Sequence, residues 1–241
     1  MSETRISSGS YDLNKFLYGG YETEIITTLY GPAGSGKTNL CIMATVSQAK
    51  KNKKVIFIDT EGGFSIDRFK QISQEDGEEL LKYVLLLKPT SFDDQKKAFD
   101  TLLQELRKNS DIGLIVVDGM TMLYRLEVSK DKDENAIYKV NKELAKQMRT
   151  LAEISRKKSI PIIVTNQIYY SFQNEEDWKE GKEKIANIVG GDILKYWSKC
   201  LIELKNHSGR RTLLLKKHRS LPEKELPFTI NQEGIKRRGL F

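Results

Sequence analysis

Gly31-Pro32-Ala33-Gly34-Ser35-Gly36-Lys37-Thr38 decides the fold. The eight residues satisfy G-x-x-x-x-G-K-[ST]. They follow the β-branched run Ile25-Ile26-Thr27-Thr28-Leu29-Tyr30 and precede a helical pattern from Asn39 to Lys50. Strand, loop and helix in that order are the context in which the motif cradles a phosphate chain. Its glycines let backbone N–H groups turn inward, and the helix adds the positive end of its dipole. The pattern predicts an ATP site built from Gly31, Pro32, Ala33, Gly34, Ser35, Gly36, Lys37, Thr38 and Asn39. Lys37 is expected on the β- and γ-phosphates and the Thr38 hydroxyl on Mg2+. A glycine-rich turn without a ligand would not need a Lys-Thr pair at the helix start.

Working outward, apolar runs alternate with helical patterns. Lys54 to Asp59 reads as a strand, Ser65 to Ile72 as a helix, Tyr83 to Leu87 as a strand and Phe92 to Lys108 as a helix. Leu114 to Asp118 is then a strand, Glu134 to Lys158 a long helix and Pro161 to Asn166 a strand. Ahead of them all, Ser7 to Leu17 reads as a loop capping a short helix that Tyr18-Gly19-Gly20 ends. The strands are solidly apolar rather than alternating, as expected when helices cover both faces of a mostly parallel α/β sheet. Past residue 190 the runs Cys200 to Leu204, Arg211 to Lys217 and Pro227 to Asn231 are closely spaced, which predicts antiparallel strands added at one edge. No repeat or Pro/Gly-rich linker divides the chain, so one domain over residues 1–241 is expected.

In open α/β sheets ligands gather at the carboxyl ends of strands. Asp118, closing Leu114-Ile115-Val116-Val117, is placed to hold Mg2+ directly or through a water. Glu61 lies just past the strand that ends at Asp59, where a carboxylate can deprotonate water in line with a γ-phosphate; a merely solvated loop acid is the other reading. Gln167, after Asn166, offers a neutral amide able to feel a γ-phosphate without competing for metal. The 20-residue segment from Ile168 to Asn187 that follows is long enough to be functional or disordered. It holds Tyr169 and Tyr170 with Lys179, Lys182 and Lys184, a mixture suited to stacking on unpaired bases and tracking a phosphate backbone. Its five acids leave a protein-contact loop or a lid equally open. A polar loop from Arg125 to Glu134 either lines the same face or is a solvated connection.

Charge is unevenly placed. Residues 194–241 carry 12 Lys or Arg against 4 acids, a net +8, whereas residues 1–193 carry 28 against 29, a net −1. A polyanion such as nucleic acid suits that basic end, as does a solvated face. No apolar run approaches the roughly 20 residues that span a bilayer, and Met1 to Ser10 has no signal-peptide core; a cytoplasmic protein without membrane contact is expected. Cys41 and Cys200 are far apart, in apolar surroundings and without metal-ligand spacing, which predicts reduced core thiols.

Over nearly the whole chain these residues resemble the RecA/RadA recombinase family. The resemblance is carried by Tyr30 to Asn39, by Ile58-Asp59-Thr60-Glu61-Gly62-Gly63-Phe64-Ser65, and by Val117-Asp118 with Leu123-Tyr124-Arg125. It continues in Thr165-Asn166-Gln167, Gly191-Asp192-Ile193-Leu194, and Lys217-His218-Arg219 before Leu221-Pro222-Glu223. It implies a RecA-like P-loop NTPase core with Glu61 as catalytic base and Arg68 packed on adenine. Gln167 would couple the γ-phosphate to a DNA-binding loop at Ile168 to Asn187, and Arg125 would belong to the other DNA loop.

Two departures stand out. Filament-forming relatives carry an N-terminal domain and a Phe-x-x-Ala segment where only Met1 to Arg5 precede Ile6, so no N-terminal DNA-binding domain and no filament by that route are expected. Lys217-His218-Arg219-Ser220 stands where strand-exchange members have an Asp-Ser-Pro cap. Lys217 and Arg219 then face either a neighbouring subunit's γ-phosphate or DNA backbone, and the basic surroundings favour DNA. The expectation is an ATP- and DNA-binding recombinase-family protein that assists homologous recombination and repair with slow ATP turnover. Its partners would be single- or double-stranded DNA, a main RadA-type recombinase or other repair proteins, or further copies of itself. A KaiC-like or helicase-like ATPase, or a non-catalytic adaptor ordered by ATP, are the alternatives.

Overall fold

The computed structural model describes residues 4–130, 133–170 and 186–239. In chain order, β1 (Arg5–Ile6), α1 (Tyr11–Phe16) and β2 (Tyr21–Glu22) precede β3 (Ile26–Tyr30), α2 (Lys37–Ala49) and β4 (Lys54–Asp59). Next come α3 (Ile66–Ser73), α4 (Gly77–Leu81), β5 (Val84–Leu87), α5 (Phe92–Lys108) and β6 (Ile112–Asp118). They lead to α6 (Met122–Lys130), α7 (Glu134–Lys158), β7 (Ile162–Asn166), β8 (Ile168–Tyr170) and β9 (Ala186–Ile188). The chain continues through α8 (Gly191–Trp197), β10 (Ser198–His207), β11 (Arg210–Lys217), β12 (Lys224–Asn231) and β13 (Gly234–Arg237).

One sheet organises these elements, in the order β13-β12-β11-β10-β3-β7-β6-β4-β5. From β10 to β5 every neighbouring pair is parallel, and β11, β12 and β13 add antiparallel strands at the other edge. The expected edge extension is therefore present, with one refinement. β10 belongs to both regimes, parallel to β3 and antiparallel to β11.

Successive strand residues feed opposite faces, as the two-residue period requires. Val55 and Phe57 of β4 join Leu114 and Val116 of β6 in a core beneath α2 and α3. Ile56, Ile58, Ile115 and Val117 join Leu102 of α5 and Leu144, Met148 and Leu151 of α7 on the other side. The helices form where caps and periodicity agree. Ser91 Oγ accepts the Asp94 N–H at the start of α5, with Asp93 and Asp94 in its first turn and Arg107 and Lys108 in its last, matching the helix dipole.

Two stretches read as irregular differ. Residues 125–130 of the expected polar loop are the end of helix α6, held against α7 by Tyr124, whose hydroxyl donates to Asn141 Oδ1 at 2.6 Å. Polar side chains hid that helix, which buries only Leu123 fully. The segment from Ile168 to Asn187 begins and ends as an antiparallel pair, Ile168 opposite Ile188 and Tyr170 opposite Ala186. Both cysteines are buried free thiols, as expected. No helix among the described residues is long and apolar enough to cross a membrane.

Candidate nucleotide site

The loop between β3 and α2 is set by its glycines. Gly36 caps α2 at φ +107°, a conformation strained for any side chain, and so turns the first helical N–H groups toward the loop's interior. Ser35 is fully buried, and its hydroxyl has no hydrogen-bond partner among the described residues. Lys37 is buried too, its ammonium donating to the carbonyls of Gly31 and Pro32, each at 2.9 Å. Burial lowers its pKa, and Glu61 and Asp118 partly oppose that shift.

Asp118 stands at the end of β6, one position beyond the Val117–Val164 pairing with β7. That register sets it beside Thr165, whose hydroxyl donates to Oδ1 at 2.6 Å, while Thr38 donates to Oδ2 at 2.7 Å. Burial pushes the carboxyl up to about 6 even though both hydroxyls favour the anion. A buried carboxylate this short of compensation, beside a hydroxyl oxygen, fits a small hard cation. Among the described residues no group of three or more His, Cys, Asp or Glu forms a metal cage. Mg2+ suits such a place, because it binds through one or two protein oxygens plus phosphates and waters. Gly63 adjoins it: a Cβ there would lie 3.3 Å from the Thr38 side chain and 3.5 Å from Asp118 Oδ2.

Glu61 is carried on a loop fixed at both ends. Asp59, paired in register with Asp118, accepts the N–H groups of Gly63 and Phe64 at 3.0 and 2.9 Å. The Phe64 ring packs edge-on to Phe57, with centroids 4.9 Å apart. Thr60 donates its hydroxyl to the Gly119 carbonyl at 2.7 Å. Across the gap, Gln167 Nε2 donates to Glu61 Oε2 at 3.1 Å. Glu61, Arg125 and Gln167 line one small cleft with Thr121, Met122 and Val189. Three residues picked from separate parts of the sequence are thus brought together.

Other predicted residues have defined neighbours. The Arg68 guanidinium donates to Asn39 Oδ1 at 2.8 Å and to the carbonyls of Asn231, Gln232 and Gly234 at 2.7, 3.2 and 3.3 Å, tying the nucleotide loop's helix to the β12–β13 turn. Lys217 donates to the carbonyls of Lys195 and Ser198 at 2.9 and 3.0 Å. Arg219 pairs with the buried Glu22, which His218 Nε2 approaches to 3.2 Å. Intramolecular partners therefore hold both cations. Tyr169 is half exposed on β8. The Tyr170 side chain, Lys179, Lys182 and Lys184 lie outside the described residues.

Sequence reading missed Thr165, the capping role of Asp59, and a brace on the phosphate loop. Asn206 Nδ2 and Arg211 Nη2 each donate to the Gly34 carbonyl at 3.3 Å. The register of parallel neighbours β6 and β7 was the available signal for Thr165; nothing local announces the brace.

Comparison with known proteins agrees with this architecture. The Rad51 family model matches residues 2–238. The "DNA repair and recombination protein RadB" of Methanococcus maripaludis strain C5 is 40% identical over 224 residues, covering 92% of this chain and 96% of that protein. Its counterpart from Methanobrevibacter smithii is 39% identical over 227 residues, covering 92% of each. A solved structure, "Crystal structure of the RadB recombinase", superposes with a TM-score of 0.77 at 31% identity, covering 97% of this chain and all of that one. With the phosphate loop, the Thr38–Asp118 pair and the Glu61–Gln167 contact on one sheet, the chain belongs to the Rad51 family and, within it, to the RadB proteins.

Proposed function

We propose that this protein binds ATP with Mg2+ and binds DNA, assisting homologous recombination and repair as a recombinase paralogue with slow ATP turnover. The observation that carries the reading is the Glu61–Gln167 hydrogen bond beside the Thr38–Asp118 pair. It sets the residue suited to activating water in contact with the residue from which the β8–β9 ribbon departs. The phosphate chain would lie along the backbone of Ser35 to Thr38 with Lys37 swung from its own loop carbonyls onto the β- and γ-phosphates. Thr38 and Asp118 would hold Mg2+, which supplies charge neutralisation on those phosphates when bound. Glu61 would take the proton of the attacking water at a carboxylate oxygen once Gln167 turns to the γ-phosphate. The family names of the relatives support the recombination and repair role. A main recombinase is the partner class that role implies.

ATP hydrolysis with and without single-stranded DNA at low salt, with Glu61→Gln as control, tests this. Turnover that rises with DNA and vanishes in the variant is expected. Turnover that is negligible and indifferent to DNA would favour a second reading, an adaptor ordered by ATP. That reading draws on Lys37 being held by its own loop and Glu61 by Gln167.

A further inference from the structure

A groove of about 710 Å3 opens between α1 and the β12–β13 hairpin. Tyr11 and Tyr18 stand on it 80% and 65% exposed, far beyond what packing of α1 requires, since Leu13 and Phe16 already anchor that helix. Lys15, Lys224 and Arg237 share its lining, and Asp12 and Glu225 are its acids. Asp12 is engaged structurally: its Oδ2 accepts the Arg237 N–H at 2.7 Å, joining α1 to β13 and fixing one wall. Arg5 adds a further cation at the rim, donating Nη1 to the Tyr18 carbonyl at 3.1 Å. The Lys224 ammonium lies over the Tyr18 ring, 4.2 Å from its centroid, and 5.1 Å from that of the buried Phe16, which sets a cation directly against the exposed tyrosine.

Exposed flat rings interleaved with cations are what unpaired bases and their phosphates require, since every base has a face to stack and every nucleotide a charge to neutralise. We propose that this groove binds single-stranded nucleic acid, with bases stacked on Tyr11 and Tyr18 and the backbone on Lys15 and Arg237. The groove is distinct from the cleft at Gln167. In the sheet order β12 stands four strand spacings from β7, about 19 Å at roughly 4.8 Å each. An acidic polypeptide would satisfy the cations but leave the two open rings without a purpose. The inference rests on the nucleic-acid part of the proposed function.

The experiment uses a fluorescent oligothymidylate and the full chain. Affinity is measured against salt for the wild type, for Tyr11→Ala with Tyr18→Ala, and for Lys15→Glu with Arg237→Glu, all exposed positions. The tyrosine variant should weaken binding about five-fold or more per ring. The charge variant should lower the slope of log affinity against log salt by about 1.4, at roughly 0.7 per phosphate contact. Photocross-linking of an oligonucleotide carrying 5-iodouracil should label Tyr11 or Tyr18. Wild-type affinity and slope in both variants, with cross-links confined elsewhere, overturns the groove and leaves DNA binding intact. Displacement of the oligonucleotide by poly-glutamate equally from wild type and tyrosine variant would assign the groove to an acidic partner and also overturn it. A wild type that binds no oligonucleotide at low salt defeats the DNA reading and the groove together.

Discussion

Arg211 reaches from the β10–β11 hairpin to the carbonyl of Gly34, holding the outer side of the phosphate loop at 3.3 Å. A loop that binds phosphate through inward N–H groups must turn its carbonyls outward, and an outward carbonyl held by a donor keeps that turn in place. Arg211→Ala should weaken ATP and ADP by about five-fold, the worth of roughly 1 kcal/mol of hydrogen bonding. Adenosine affinity should stay unchanged, as titration calorimetry with the three ligands would reveal. Equal loss for adenosine would mean general damage to the fold, and no loss would make the contact incidental.

The Glu61–Gln167 contact predicts a split between binding and turnover. Gln167→Ala frees the carboxylate but removes the amide through which the β8–β9 ribbon would sense phosphate. Stimulation of ATP hydrolysis by DNA should disappear, with ATP affinity within about two-fold of wild type. Glu61→Gln should lower kcat by about 100-fold or more, the usual worth of a general base. Steady-state kinetics paired with equilibrium binding separates the two effects.

Asp118 costs stability in the metal-free protein. Its folded pKa of about 6 lies above the ordinary 3.8, so the native state binds its proton more tightly than the unfolded chain does. The penalty is full above about pH 6, shrinks as pH falls through that value and is gone below 3.8. Asp118→Asn should therefore be the more stable protein at pH 7, by up to about 3 kcal/mol, with the gap closing toward pH 4.5. Urea melts of both proteins in EDTA across that range check the sign; a gap that widens on acidification would contradict it.

Phe64 anchors the loop that carries Glu61, edge-on to Phe57 and 5.9 Å from the Phe69 ring. Phe64→Ala should destabilise the fold by about 3 kcal/mol, the cavity and transfer cost of a buried phenyl group. Phe64→Leu should recover most of that. If turnover falls with the alanine variant and returns with leucine while ATP affinity holds, packing rather than chemistry sets the position of Glu61.

Much of this was legible in the sequence because it is written locally. The strand, loop and helix around Gly31 to Thr38, the apolar run into Asp118, and the capped helices α5 and α7 each declare themselves within a window of a few turns. Helix α6 was not legible, since a nine-residue helix with a single fully buried side chain has too weak a periodicity to set it apart from a polar loop. Contacts made by the sheet were equally silent. Thr165 meets Asp118 because β7 lies beside β6, and Arg211 meets Gly34 because β11 folds back across β10. Spacing along the chain does not encode either approach. Lys217 and Arg219 show the converse: their charge was plain, but their partners, the end of α8 and Glu22, come from distant segments.

The central position of β3 shapes how the protein is made. Its two neighbours in the sheet are β7 and β10, and the Thr28–Ser198 hydrogen bond joins residues 170 apart. A ribosome moving at about 5–20 residues per second takes on the order of ten seconds or more to supply that second neighbour. Until β7 is made the strand leading into the phosphate loop has neither flank in place, and its second flank waits for β10, while β4 and β5 can already pair. A nascent chain would thus hold its nucleotide motif unfinished until late in synthesis, and chaperones that shield bare strands would meet this segment first.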